Sequence, residues 1–302
     1  MEYRTLGRSD LRVSAIGMGG ATFGREIDEP TAFAVLDRAL ERGITLFDTA
    51  EAYSAGRSEE ILGRWAASRG VRGRIVLATK VAPPLSRERL IAAAEASLRR
   101  LQVETIDLFQ LHSWDPKTPL EQTLDALNTL VRQGKARYAG LSNCAAWQLC
   151  KALWRQEVNG WARLETLQPV YNLAKREIER ELLPLCADQE LGVITYSPLG
   201  AGFLTGKYQQ GSPLPSGTRF EIVPGHQEIY FNDQAFRTLE RLRVTSAELR
   251  IPMVRLAMAA VLGQPGITST LIGARSPAQV DQAFDAAALA RSEALRPVLE
   301  NL

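Results

Sequence analysis

The chain has 302 residues, 45% of them hydrophobic, which is ample for one large core. Its net charge of +2 comes without a basic block, so nothing points to nucleic acid. Three cysteines (Cys144, Cys150, Cys186), an odd count with no CxxC, argue against a disulfide framework or a zinc site, and without a signal peptide or a spanning apolar run the expectation is a soluble cytoplasmic protein with no membrane partner.

Residues 1–12 are polar around a Leu-Gly turn and read as a short hairpin. A first core strand is expected at 13–17. It runs into Gly17-Met18-Gly19-Gly20-Ala21-Thr22-Phe23-Gly24, which fails the dinucleotide fingerprint because Thr22 stands where the third Gly belongs. Pro30 opens a helix that Gly43 closes, as helix ends prefer. The apolar run 44–48 ends on Asp48, with Tyr53 five residues on. Helix 58–69 carries Glu59 and Glu60 in its first turn. Strand 75–80 ends on Lys80, helix 86–100 has Ser86 as its N-cap, and strand 105–112 ends on His112, one of only two histidines. Helices 118–133, 145–157 and 177–190 then alternate with strands 136–142, 164–170 and 192–198. A Gly- and Pro-rich stretch, 200–231, reads as a functional lid. Helices 232–249 and 252–263, strand 268–273 and helix 277–290 complete the chain.

Eight short strands, each followed by helix, mean parallel βαβ units, and eight of them fit a closed (β/α)8 barrel. The expectation is one domain over 1–302 with an N-terminal β-hairpin and a long lid loop after the seventh strand. In such a barrel the chemistry sits at the C-terminal ends of the strands. There fall Asp48, Lys80, His112, Ser142-Asn143, Gln168 and Tyr196-Ser197. A phenol gives up its proton reluctantly at pH 7, and a cation beside it makes it a usable general acid or base. Other motifs fail. Gly202-Phe203-Leu204-Thr205-Gly206-Lys207 lacks the first Gly of a phosphate loop and is followed by Tyr208, Gly140-Leu141-Ser142-Asn143-Cys144 lacks the last Gly of a nucleophile elbow, and His226 in the lid has no partner at metal-ligand spacing. Trp114, two residues past His112, is open between loop packing and a substrate wall.

Taken in order, Phe47-Asp48-Thr49-Ala50-Glu51-Ala52-Tyr53, Ser58-Glu59, Ala78-Thr79-Lys80, Asp107 to His112, Gly134 to Asn143, Gln168 to Asn172, Tyr196-Ser197-Pro198-Leu199 and Gly273-Ala274-Arg275 resemble the aldo-keto reductase superfamily over essentially the whole chain. The resemblance implies a (β/α)8 barrel that binds NADP(H) in extended form without a Rossmann motif. It implies Asp48, Tyr53, Lys80 and His112 as the catalytic four. Ser142, Asn143 and Gln168 would hold the nicotinamide carboxamide and Tyr196 would stack on the ring, with Asp48, Gly19 and Gly20 on the nicotinamide side. Ser197, Leu199 and Gly202 would line the pyrophosphate, Lys207 and Arg219 would reach the phosphates, and Gly273, Arg275 and Gln279 would surround the adenine ribose. Phe23, Tyr53, His112 and Trp114 would line the substrate pocket. Similar sequences usually carry Thr-Trp where this one has Gly20-Ala21, and often Asn where it has Ala283. The implied reaction moves a hydride to a small-molecule carbonyl carbon while Tyr53, tuned by Lys80 and Asp48, protonates the oxygen. Two alternatives stand beside it. One is a regulatory barrel like the potassium-channel β subunits, in which the position of His112 is usually Asn. The other is a barrel aldolase or isomerase using Lys80 as a Schiff-base amine.

Overall fold

The odd–even alternation along each strand sorts side chains between a barrel lumen and a shell of helices. In the computed structural model, which describes residues 1–302, strands β1 (Tyr3–Thr5) and β2 (Arg12–Ser14) form an antiparallel hairpin. Then come β3 (Ile16–Gly19), α1 (Glu29–Glu41), β4 (Leu46–Asp48), α2 (Arg57–Arg69), β5 (Val76–Val81), α3 (Arg87–Leu101), β6 (Ile106–Leu111), α4 (Leu120–Arg132), β7 (Ala136–Ser142) and α5 (Ala146–Asn159). These are followed by β8 (Leu164–Gln168), α6 (Leu182–Asp188), β9 (Gly192–Thr195), α7 (Arg219–Ile222), α8 (Gln227–Tyr230), α9 (Asp233–Leu249), α10 (Met253–Gly263), β10 (Ser269–Ile272), α11 (Pro277–Ala290) and α12 (Arg296–Glu300). The eight strands β3 to β10 close into a parallel barrel, with β10 beside β3. The side chain of His226 lies outside the described residues. Among the described residues no helix is long and apolar enough to cross a membrane, and no three His, Cys, Asp or Glu side chains gather as a metal site.

Parity builds the site. On β4, β5 and β6 the outward Phe47, Leu77 and Phe109 join the core beneath the helices, where Phe47 and Trp65 meet at 5.0 Å between ring centroids. The inward residues form two layers. Leu46, Val76, Ala78, Leu108 and Ile194 are apolar and pack on Leu6, Leu11 and Val13 of the hairpin, which plugs the N-terminal mouth. One step further along, the inward positions are Asp48, Lys80 and Gln110, all buried. Gly140 makes room for this layer: a Cβ there would stand 2.1 Å from Thr166 Oγ1 and 2.9 Å from Gln110 Cγ.

Some boundaries differ from expectation for local reasons. The strand expected at 13–17 is broken at Ala15, because the Ser14 hydroxyl donates to the Ile16 carbonyl (2.6 Å) and the Ser14 N–H donates to Thr45 Oγ1 (2.9 Å). Val13 therefore belongs to the hairpin and the barrel strand starts at Ile16. The helix expected at 177–190 shrinks to Leu182–Asp188, since Pro184 has no N–H to donate and fits only a first turn. The expected lid is less irregular than its composition implies. It holds a 3-10 segment at Gly200–Thr205 and the short helices α7 and α8, and Phe203, Tyr208, Phe220 and Tyr230 pack into a second core.

Candidate active site

Lys80 is the centre of the polar layer. Its side chain is 1% exposed, and its Nζ donates to Asp48 Oδ1 and to the Thr49 carbonyl (2.8 Å). Burial alone would push this ammonium down, but the Asp48 carboxylate and the Tyr53 hydroxyl outweigh it and hold the amine above its ordinary range. Asp48 is saturated on its other side, where Oδ2 accepts from Gln168 Nε2 (3.0 Å) and Gln110 Nε2 (3.3 Å). Gln110 had no role in the sequence reading. The signal was present: it is a polar residue inside an apolar strand, on the parity of Leu108 and two positions before His112.

Tyr53 arrives from a tight turn. Its N–H donates to the Ala50 carbonyl (3.0 Å), and the Glu51 N–H donates to the Lys80 carbonyl (3.1 Å). Ser54, Ala55 and Gly56 follow with φ of 52°, 53° and 89°, three left-handed residues in a row, two of them not glycine. Such strain persists only where surroundings enforce it. Here Ser54 Oγ donates to the Phe23 carbonyl (3.0 Å). The phenol ring centroid lies 5.1 Å from Lys80 Nζ and 5.6 Å from the His112 ring, which it meets edge-on at 81°. Burial, then the Lys80 cation, pushes the His112 imidazolium down to about 4, so the ring is neutral near pH 7. Its Nδ1 is buried without a partner among the described residues. A phenol flanked by a buried ammonium and a neutral imidazole can pass one proton to an oxygen held between them.

A cleft of about 350 Å³ opens beside Tyr53 at the barrel mouth, lined by Gly19, Asp48, Tyr53, Gln168, Tyr196 and Ser197, by Gly273 just after β10, the strand paired with β3, and by Leu199, Gly202, Lys207, Arg219, Arg275 and Gln279. Ser142 is buried behind the wall and Asn143 is exposed at the mouth. Ser142 Oγ donates to the Gln168 carbonyl (2.7 Å), and Asn143 bridges the site, giving its Nδ2 hydrogen to the His112 carbonyl (2.9 Å) and accepting from Tyr196 OH (2.8 Å) at Oδ1. Burial, and the neighbouring Tyr53, push the Tyr196 phenol up to about 12.

Two expected contacts are corrected. Phe23 is 1% exposed and packs in the core, because its backbone turns the ring under the Tyr53 loop, so it is no wall of the pocket. Gly20 also faces inward: a Cβ there would stand 2.7 Å from Ser58 Oγ, and its neighbours Gly19 and Ala21 line the cleft instead. Trp114 packs partly on the core and meets Trp147 edge-on at 6.0 Å. Arg219 lines the cleft but is ion-paired to Glu26, which sequence reading did not single out.

The far end of the cleft suits a polyanion. Burial and the nearby Arg275 guanidinium push the Lys207 ammonium down from its ordinary range, so two cations crowd each other. Neither has a carboxylate at ion-pair distance among the described residues, and both line the cleft.

A family model described as the Aldo/keto reductase family matches residues 15–294. An uncharacterized oxidoreductase, YrpG of Bacillus subtilis, is 36% identical over all of this chain and 96% of its own length. The aldo-keto reductase YhdN of the same organism is 34% identical over 93% of this chain and 87% of its own. A probable voltage-gated potassium channel subunit beta of Arabidopsis thaliana is 33% identical over 93% of this chain and 90% of its own.

Proposed function

Because the chain belongs to the aldo/keto reductase family, we propose that it is an NADP(H)-dependent oxidoreductase that reduces aldehyde or ketone carbonyls of small molecules to alcohols. The observation that carries this reading is the placing of Tyr53, which lines the cleft, against buried Lys80 and half-buried His112, with Lys207 and Arg275 lining the same cleft. In this reading residues 1–302 act as one catalytic unit in the cytoplasm.

When bound, the cofactor supplies the hydride. Lys207, Arg219 and Arg275 would hold its phosphates, Gln168 and Asn143 its carboxamide, and Tyr196 the face of its ring. His112 Nε2 orients the substrate carbonyl. As the carbonyl carbon gains its new C–H bond, the π electrons move onto oxygen, and Tyr53 gives that oxygen its proton. Lys80, held by Asp48 and the Thr49 carbonyl, then faces the phenolate with a fixed positive charge. The Schiff-base alternative needs a neutral amine, whereas Lys80 is held protonated by Asp48 and Tyr53. A regulatory barrel would have no need of a neutral imidazole poised beside Tyr53.

The test is turnover of a carbonyl panel that includes benzaldehyde and methylglyoxal, followed at the reduced-nicotinamide absorbance band with NADPH and with NADH. Oxidation of NADPH by at least one carbonyl is expected, at lower cofactor concentration than NADH requires. No turnover of any carbonyl, or of any alcohol in the reverse direction, would contradict the reading.

A further inference from the structure

Behind the proton-transfer group lies a charge that the proposed mechanism does not use. Glu59, in the first turn of α2, is fully buried. Its Oε1 accepts from Thr79 Oγ1 (2.6 Å) and its Oε2 accepts from Arg100 Nε (2.6 Å). A buried ion pair is weak evidence for stability, since an apolar pair of the same shape often does as well. What marks this one is where its two arms lead.

The first arm ends beside Lys80. On β5 alternate residues face opposite ways, so Lys80 points into the lumen and Thr79 points out toward α2, where Glu59 takes its hydroxyl. The second arm ends under the turn that carries Tyr53. A Cβ on Gly56 would stand 2.8 Å from both Cδ and Nε of Arg100, so the guanidinium stem forms the floor of the left-handed Tyr53–Gly56 segment. Next to Glu59, Ser58 Oγ donates to the Gly20 carbonyl (2.8 Å) and pairs with Thr49 Oγ1 (2.8 Å), and the Thr49 carbonyl is itself a ligand of Lys80. One carboxylate thus ties together the strand that presents the ammonium and the turn that presents the phenol.

We infer that Glu59, acting through Thr79 and Arg100, is a positioning residue that sets the distance between Tyr53 and Lys80, an inference that rests on the reading of Tyr53 as proton donor. Glu59 touches neither substrate nor cofactor, and its effect belongs to the chemical step alone. A reacting group displaced by about an ångström loses on the order of 10²-fold in rate.

The experiment compares Glu59→Gln, Tyr53→Phe and the double variant with the parent protein, using benzaldehyde and NADPH. Glu59→Gln keeps an acceptor for Thr79 and removes the charge that holds Arg100. It is expected to lower kcat roughly 10- to 100-fold while leaving KM and the NADPH Kd within about twofold. In the Tyr53→Phe background the same substitution should change nothing further, because the proton donor is already gone. Unchanged kcat in Glu59→Gln, or the same fractional loss in both backgrounds, would overturn the inference while leaving the Tyr53 reading intact. A fully active Tyr53→Phe would overturn both. If Glu59→Gln does not fold, Thr79→Val serves in its place, with a smaller fall in kcat at unchanged NADPH affinity expected and an unchanged kcat contradicting it.

Discussion

The two ends of the cleft hold their charges in opposite ways. At the proton-transfer end Lys80 is 1% exposed and answered at once by Asp48, which is answered in turn by Gln168 and Gln110. The carboxylate and the ammonium there are answered by the protein itself. At the other end Lys207 and Arg275 stand close enough for one to depress the other, with no carboxylate between them among the described residues. In the proposed reading the first end is organised for a reaction by the protein alone, and the second would be completed by a ligand. Preorganised dipoles cost no rearrangement when charge develops, so the first arrangement favours rate. Unanswered cations gain only when an anion arrives, so the second favours binding.

Breaking the first end should therefore cost rate and stability together. Lys80→Met removes the cation beside Tyr53 and strands the Asp48 carboxylate, which is 2% exposed. Turnover is expected to fall by ~10²–10⁴, and the fold to lose about 3–5 kcal/mol because a buried charge is left unpaired. Steady-state kinetics and chemical denaturation check the two effects. A stable, active Lys80→Met would show that the pair is no more than a filler of the lumen.

Breaking the second end should cost affinity alone. Arg275 lies at the start of α11, where N–H groups and the helix dipole also favour an anion, and its own N–H donates to Gln279 Oε1 (2.8 Å). A charged hydrogen bond to the 2′-phosphate is worth ~1.5–3 kcal/mol, roughly 10- to 150-fold in Kd. Arg275→Ala is expected to weaken NADPH binding by that factor and leave NADH nearly unchanged, both read by quenching of Tyr and Trp fluorescence. Equal weakening of both cofactors would assign Arg275 to shared structure.

The smallest effect sharpens the comparison by pH. His112 is neutral down to about 4, below the ordinary ~6.5 of a histidine. Between these values the unfolded chain binds the proton and the folded chain does not, so the stability from burying this ring is fully present above ~6.5 and is lost as pH falls through about 4. Turnover should accordingly show no histidine limb between pH 5 and 7. His112→Gln should flatten the acid side of a Tm-against-pH curve. A limb near 6.5 in the parent protein that disappears in His112→Gln would contradict the neutral ring.

The barrel was legible because parity and strand length are local. Leu46 and Asp48, or Ala78 and Lys80, announce an apolar lower layer and a polar upper one in two consecutive inward positions. Asp48, Lys80 and Gln168 were legible for the same reason, as polar residues closing apolar runs. What stayed hidden depends on long-range partners. The Arg219–Glu26 pair joins positions 193 apart, and Glu59 read as a dipole partner until Arg100 and Thr79 were seen to bury it. Phe23 looked like a pocket wall because it follows the first barrel strand, but the turn at Gly20 folds its ring into the core. Gln110 stood out as a polar residue in an apolar strand, but only the empty Cβ space at Gly140 explains how its amide fits the lumen.

The measurement that bears most directly on Tyr53 as the proton donor is made on Tyr53→Phe, with kcat and the NADPH Kd determined on one preparation. The substitution removes a hydroxyl and nothing else from a ring held by His112 and Lys80. The expected result is kcat on benzaldehyde lower by ~10²–10⁴ with NADPH affinity unchanged. Near-normal kcat at the same affinity would contradict it and return the proton to another group.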